Sequence, residues 1–109
     1  MCGRYTLKTP KAELDEHFGV ELPEMPFRYN VAPSQAVPAI CADAVRVLKW
    51  GFVPGWSKEP TVKFSNINAR CETVATSNAY RGSFRHKRCL MPADGFFEWV
   101  RRDAVVVIV

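Results

Sequence analysis

Four prolines fall within one short stretch of this chain: Pro23, Pro26, Pro33 and Pro38. Each fixes φ and removes a backbone donor, so no long helix can cross the region. Leu22 to Pro38 therefore reads as an ordered but irregular loop. Only short elements fit on either side. Gly3 to Leu7 is predicted to be a strand, with Tyr5 and Leu7 on one face by period two. Thr9-Pro10 reads as an N-cap with proline at the first helical position. Leu14 and Phe18 then share a side, and Gly19 stops a helix of about two turns. His17 on that helix is a surface residue. Beyond the prolines, Val37–Ala42 and Ala44–Phe52 are β-branched and apolar enough for two strands turning at Asp43.

Further strands are predicted at Phe64–Arg70, Cys89–Pro92 and Gly95–Val100, the last two around a turn at Ala93-Asp94-Gly95. Glu72–Thr76 should form a helical turn. Ala104–Val109, six apolar residues after a turn at Arg102-Asp103, reads as a strand buried on both faces. Many short strands with one or two short helices make an α+β chain. A final strand with nothing after it to cover it leaves an open edge, so self-association through that edge is an expectation. The same feature predicts that residues 1–109 are the N-terminal portion of a larger domain.

At 109 residues the chain is one domain or a piece of one. The first 15 residues hold Arg4, Lys8, Lys11 and Glu13 and no apolar run, so neither a secretory signal nor a membrane span is expected. A cytoplasmic setting with reduced thiols follows, nucleoid-associated if the source is bacterial. Cys2, Cys41, Cys71 and Cys89 are far apart and make no C-x-x-C. With only His17 and His86 to add, no metal and no cofactor are expected. The formal charge of +4 leans toward a polyanionic partner.

Five features carry chemistry. If Met1 is removed, Cys2 presents an α-amine and a thiol on adjacent carbons, a pair whose natural target is an aldehyde. The bland alternative is an ordinary early cysteine. Arg28-Tyr29-Asn30 suits either a packed turn, the commoner use, or contact with sugar, base and phosphate. Trp50-Gly51-Phe52-Val53-Pro54-Gly55-Trp56 is either a packed corner or an aromatic platform for unstacked bases. Arg81, Arg85, Lys87 and Arg88 crowd one segment with Phe84 among them. Such a run is either a solvated face or a single-strand contact. Glu98 alternates with Phe96 and Val100 on one face, against Phe97 and Trp99 on the other, so it should be partly buried. A buried carboxylate is costly unless paired. Its two readings are a salt bridge to a nearby Arg and a group that gives and takes protons.

Taken together, Cys2-Gly3-Arg4, Arg28-Tyr29-Asn30-Val31-Ala32-Pro33, Asn68-Ala69-Arg70 with Glu72-Thr73, and Arg88-Cys89 with Pro92-Ala93-Asp94-Gly95-Phe96-Phe97-Glu98-Trp99 resemble the SRAP family (SOS response-associated peptidase). The resemblance spans essentially all 109 residues but only about the first half of the family domain. It implies an α+β fold with a mixed or antiparallel, β-barrel-like core and short flanking helices. The implied partner is single-stranded DNA containing abasic sites, held through a covalent protein–DNA link. It further implies Cys2 as the crosslinking residue, Asn68 positioning the opened sugar and Glu98 handling protons. Arg4 and Arg70 would hold phosphates, and Asn30, Trp50 and Trp56 would face DNA. Arg85 and Arg88 of the basic run join that list. The family's later His-x-Arg-Met-Pro segment has no counterpart here, and His86 does not take its role. Two rival readings stay open: a non-catalytic single-strand binding module, and a thiol autopeptidase that removes its own Met1.

Overall fold

A computed structural model describes residues 2–59, 66–102 and 105–108. The elements run β1 (Arg4–Leu7), α1 (Lys11–Phe18), β2 (Arg28–Val31), β3 (Ala36–Cys41), β4 (Val45–Lys49), α2 (Arg81–His86), β5 (Cys89–Leu90), β6 (Gly95–Phe97), β7 (Trp99–Arg102) and β8 (Val105–Ile108). They form three antiparallel sheets: β2-β1-β6, β4-β3-β5 and β7-β8. The α+β reading holds, but the barrel-like core does not: no closed barrel forms among the described residues.

The alternation in β1 does what period two requires. Tyr5 and Leu7 are buried, and they meet Val31 of β2, Val37 of β3 and Trp50 in one core cluster. That cluster joins the first two sheets. Trp50 is held by its backbone as well, donating N–H to Gln35 O at 2.9 Å and accepting from Ser34 N at 2.7 Å. Pro33 and Ser34 sit at the centre of the turn from Ala32 to Gln35 (N···O 3.3 Å), and Ser34 adopts φ 69°. A positive φ at that position ordinarily calls for Gly or Asn.

α1 has the expected length, and Gly19 ends it in the left-handed region (φ 64°), with Val20 N bonded back to Asp15 O at 3.2 Å. Its start differs from expectation. Pro10, not Thr9, is the N-cap, and its carbonyl takes Glu13 N and Leu14 N at 3.1 and 3.2 Å. Thr9 is diverted because its hydroxyl and N–H both donate to Asp94, far away in sequence.

The proline-rich stretch is more regular than predicted. Between Pro26 and Pro33 the segment Arg28–Val31 is free of proline and pairs with β1, Tyr5 opposite Val31. Pro38 lies inside β3. The odd-numbered residues of β3 turn their backbone groups toward β4, as Trp50 N→Gln35 O and Cys41 N→Ala44 O show. Pro38 therefore faces the other side, where β5 reaches only Ile40 and Cys41. A missing N–H is harmless on an open edge. The β3–β4 hairpin turns at Asp43 as expected, though β4 stops at Lys49.

Three other expectations change. Asn66 to Arg70 is not strand, and residues 64 and 65 of that segment lie outside the described residues. Gly95–Val100 breaks at Glu98 because the chain changes partner there: β6 pairs with β1, while β7 pairs with β8. Phe96 and Trp99 are 63% and 57% exposed, so the flanks of Glu98 are not the two buried faces that alternation implied. Glu72–Thr76 does form hydrogen-bonded turns. Of the final apolar run, β8 covers Val105–Ile108, and residues 104 and 109 lie outside the described residues.

Candidate active site

β1 brings the N-terminal residues to one end of the first sheet. Register sets Arg4 opposite Phe97 on β6, so Glu98, the next residue, emerges at the same end as Cys2 and Gly3. Glu98 is half-buried there. Cys2 is also half-buried, and its thiol lies 3.6 Å from Arg4 O in a donor geometry. The Cys2 carbonyl accepts from Asn68 Nδ2 at 2.9 Å. Arg4 donates to Asn30 Oδ1 at 3.0 Å. Four residues from three separate chain segments thus converge through hydrogen bonds.

Asn68 is itself anchored. Its backbone carbonyl accepts from the Tyr80 hydroxyl at 3.2 Å, and the Tyr80 ring packs on Phe52 with centroids 4.7 Å apart. Arg70, two residues on, is exposed, and its carbonyl starts the turn that follows by accepting from Thr73 N and Val74 N. Beside Arg4 lies an open cleft of about 260 Å³ lined by Arg4, Tyr29, Asn30, Phe97 and Trp99. Tyr29, 64% exposed, is no packed turn; it stands on β2 with its ring available.

The aromatic corner splits in two. Trp56 is 74% exposed, whereas Trp50 is buried, edge-on to Tyr5 at 5.1 Å between centroids. Trp50 therefore has no free face for a base, and the DNA-facing expectation for it gives way to a core role. Arg85 and Arg88 are exposed but belong to another region. They line a cleft with Ile40, Cys41, Ala42, Cys89 and Leu90, and the Arg88 guanidinium sits 5.4 Å over the Phe84 ring.

Sequence reasoning missed Tyr80 and the Phe97 and Trp99 lining of the Arg4 cleft. It also missed Asp94, whose carboxylate accepts from Lys8 N, Thr9 N (3.2 Å) and the Thr9 hydroxyl, while its own N–H reaches Thr6 O at 2.9 Å. Burial pushes the Asp94 carboxyl up, but these donors outweigh it and hold the group below its ordinary value. Asp94 thereby clamps β1 to the start of β6, the pairing that sets Arg4 against Phe97. The one available signal was its place in a dense run of motif residues. No group of three or more His, Cys, Asp or Glu is placed to hold a metal among the described residues.

Residues 1–106 match the profile of the SOS response associated peptidase (SRAP) family. The chain belongs to the SRAP family. It is similar to abasic site processing protein YoqW of Bacillus subtilis, with 40% identity over 94% of this chain and 50% of that one. It is also similar to abasic site processing protein YedK of Escherichia coli (34%, covering 91% of this chain and 48% of that one) and to HMCES of Gallus gallus, likewise named an abasic site processing protein (33%, 68% and 27%). The chain spans about half the length of the curated bacterial relatives it matches. A crystal structure of a protein from Bacteroides thetaiotaomicron superposes with a TM-score of 0.85 over 98% of this chain and 52% of that one. At 22% identity it shows that the SRAP fold seen here is shared.

Proposed function

We propose that this SRAP chain captures abasic sites in single-stranded DNA by forming a thiazolidine at Cys2 once Met1 is removed. The observation that carries the reading is the Asn68–Cys2 hydrogen bond of 2.9 Å beside the Arg4–Asn30 pair, with Glu98 at the same end of the sheet. The names of the relatives add the class of lesion.

An abasic sugar opens to an aldehyde at C1′. An α-amine has a pKa of about 7.7–8.0, so a useful neutral fraction exists at pH 7. The Cys2 nitrogen attacks the aldehyde carbon, and loss of water leaves an imine. The Cys2 sulfur then adds to the imine carbon and its proton passes to the nitrogen, closing a five-membered ring. Because both nucleophiles share one residue, closure is intramolecular and gains a large effective concentration. A lysine could reach the imine but could not close it.

Asn68 fixes the Cys2 backbone so that amine and thiol hold one orientation. Glu98 gives a proton to the departing hydroxyl and assists opening of the sugar. Arg4 and Arg70 bind the phosphates beside the lesion, suited by the planar fork of guanidinium. Trp56 and Tyr29 offer exposed rings to unstacked bases, while Asn30 orients Arg4. In a duplex C1′ is hidden between stacked neighbours, so a single strand is the fitting substrate.

The test is incubation with an abasic single-stranded oligonucleotide followed by denaturing electrophoresis. A shifted band that survives boiling, and that Cys2→Ala removes while reversible binding persists, is the expected result. Salt-sensitive binding with no surviving band would favour a plain single-strand binding module instead. Loss of Met1 from the purified protein, read by intact mass, must accompany the adduct.

A further inference from the structure

Away from Cys2, two other thiols face each other. β3 and β5 pair so that Cys41 stands directly opposite Cys89. The type of pair follows from the hydrogen bonds. Cys41 spends its N–H on Ala44 O at 3.0 Å, on the β4 side. In an antiparallel strand the N–H and C=O of one residue point the same way, so toward β5 Cys41 is in a non-hydrogen-bonded pair. Such pairs bring Cα atoms to about 4.5 Å and the side chains closest together. That spacing lies inside the range a disulfide can bridge without moving the backbone.

Both cysteines are free thiols, Cys89 exposed and Cys41 half-buried, and both line the same two open clefts together with His86 and Arg88. Burial and the neighbouring Cys41 push the Cys89 thiol above its ordinary value, so the thiolate that exchange requires is its minor form near neutral pH. Cys71 is exposed as well but has no cysteine opposite it in register among the described residues.

We infer that Cys41 and Cys89 form a cross-strand dithiol that small disulfides of the glutathione type oxidise to a reversible link. One thiol loses its proton and attacks the glutathione disulfide. Its S–S bond breaks, a mixed disulfide forms and one glutathione leaves as thiolate, which takes up a proton. The second protein thiol, deprotonated in turn, attacks the protein sulfur of the mixed disulfide and releases the second glutathione. Two protein thiols and one glutathione disulfide thus give one protein disulfide and two glutathione molecules. In a reducing compartment the pair rests as thiols and closes when the poise turns oxidising. Closure pins β5, and the Arg85–Arg88 segment that leads into it, to β3. The inference does not depend on the chemistry at Cys2.

The full chain is equilibrated in buffers of graded reduced and oxidised glutathione, alkylated, digested and analysed by mass spectrometry. The expected result is a peptide pair joined through Cys41 and Cys89, reversed by dithiothreitol, and absent in Cys41→Ser and Cys89→Ser but present in Cys71→Ser. On the unmutated chain, phenylarsine oxide, which bridges two thiols with loss of water, should bind at that pair and protect both from alkylation. Mixed glutathione adducts on Cys71 and Cys89 without a Cys41–Cys89 link would overturn the inference. So would arsenical binding that leaves Cys41 and Cys89 open to alkylation.

Discussion

The sheets β2-β1-β6 and β4-β3-β5 share one core but are held together differently at their polar ends. In the first, the polar contacts reach far along the chain: Arg4 to Asn30 across 26 residues, Cys2 to Asn68 across 66, Lys8 to Asp94 across 86. In the second, the charged pair is local, with Arg46 forking onto Asp43 three residues away at 2.7 Å for both bonds. A contact of the first kind exists only when the whole chain has folded; one of the second exists in the hairpin alone. The end of the molecule that carries Cys2 is therefore the end whose geometry depends most on global folding. The other end can keep its hairpin pairing while its surface varies.

The largest effect expected is at the residue that joins the two sheets. Trp50→Ala empties a core position between Tyr5 and Val37 and should cost about 3–5 kcal/mol by denaturant titration. Trp56→Ala, at an exposed ring, should stay within about 0.5 kcal/mol and weaken oligonucleotide binding instead. Equal losses of stability would erase the distinction between a core tryptophan and a surface one.

Next comes the clamp at Asp94. Asp94→Asn keeps the shape but replaces one acceptor oxygen with a donor, at a cost on the order of 1 kcal/mol near neutral pH. The sign with pH follows from a folded pKa held below 3.8. The contribution is fully present above the ordinary carboxylate range and is lost as pH falls through the lower folded value. Wild type should thus lose stability on acidification over that window more steeply than Asp94→Asn. Parallel curves would remove the clamp.

A smaller effect sharpens the contrast from the other side. Arg46 holds the Asp43 carboxyl down to about 2, yet both side chains are open to water. Asp43→Asn should change stability only slightly, less still at high salt, and leave reaction with abasic DNA untouched. Asn68→Ala, which breaks the long-range contact, should slow adduct formation about tenfold or more with little change in reversible binding. If Asp43→Asn matched Asn68→Ala in rate, the division between local and long-range contacts would fail. Smallest of all is Tyr5→Phe. The buried Tyr5 hydroxyl has no hydrogen-bond partner among the described residues, so its removal should be neutral or slightly stabilising.

What the sequence revealed follows from the range over which each signal acts. The two-residue alternation of β1, the glycine stop of α1 and the turn at Asp43 are local, and each stands where it was read. The partner change at Glu98 is not local, since nothing in Gly95–Val100 states that one half meets β1 and the other β8. Thr9 failed as a cap for the same reason: its competitor Asp94 is 85 residues away. Proline density misled in the opposite direction, because its cost depends on which edge of a strand the missing donor faces, and Pro38 faces an open one. At the candidate site, Cys2, Arg4, Asn30 and Asn68 were legible as motif residues, and hydrogen bonds do bring those four together. Tyr80, which anchors Asn68 by a hydroxyl, and the splitting of Trp50 from Trp56 required the fold.

The proposed ring needs nitrogen and sulfur on one residue, and Cys2→Ser removes the sulfur while leaving the amine in place. Wild-type protein and Cys2→Ser, both confirmed to lack Met1, are mixed with an abasic oligonucleotide, with and without borohydride, and heated before electrophoresis. The wild-type adduct should withstand heating without reductant, whereas the serine variant should be captured only when borohydride reduces its imine. A heat-stable adduct from Cys2→Ser without reductant would show that the thiol closes no ring.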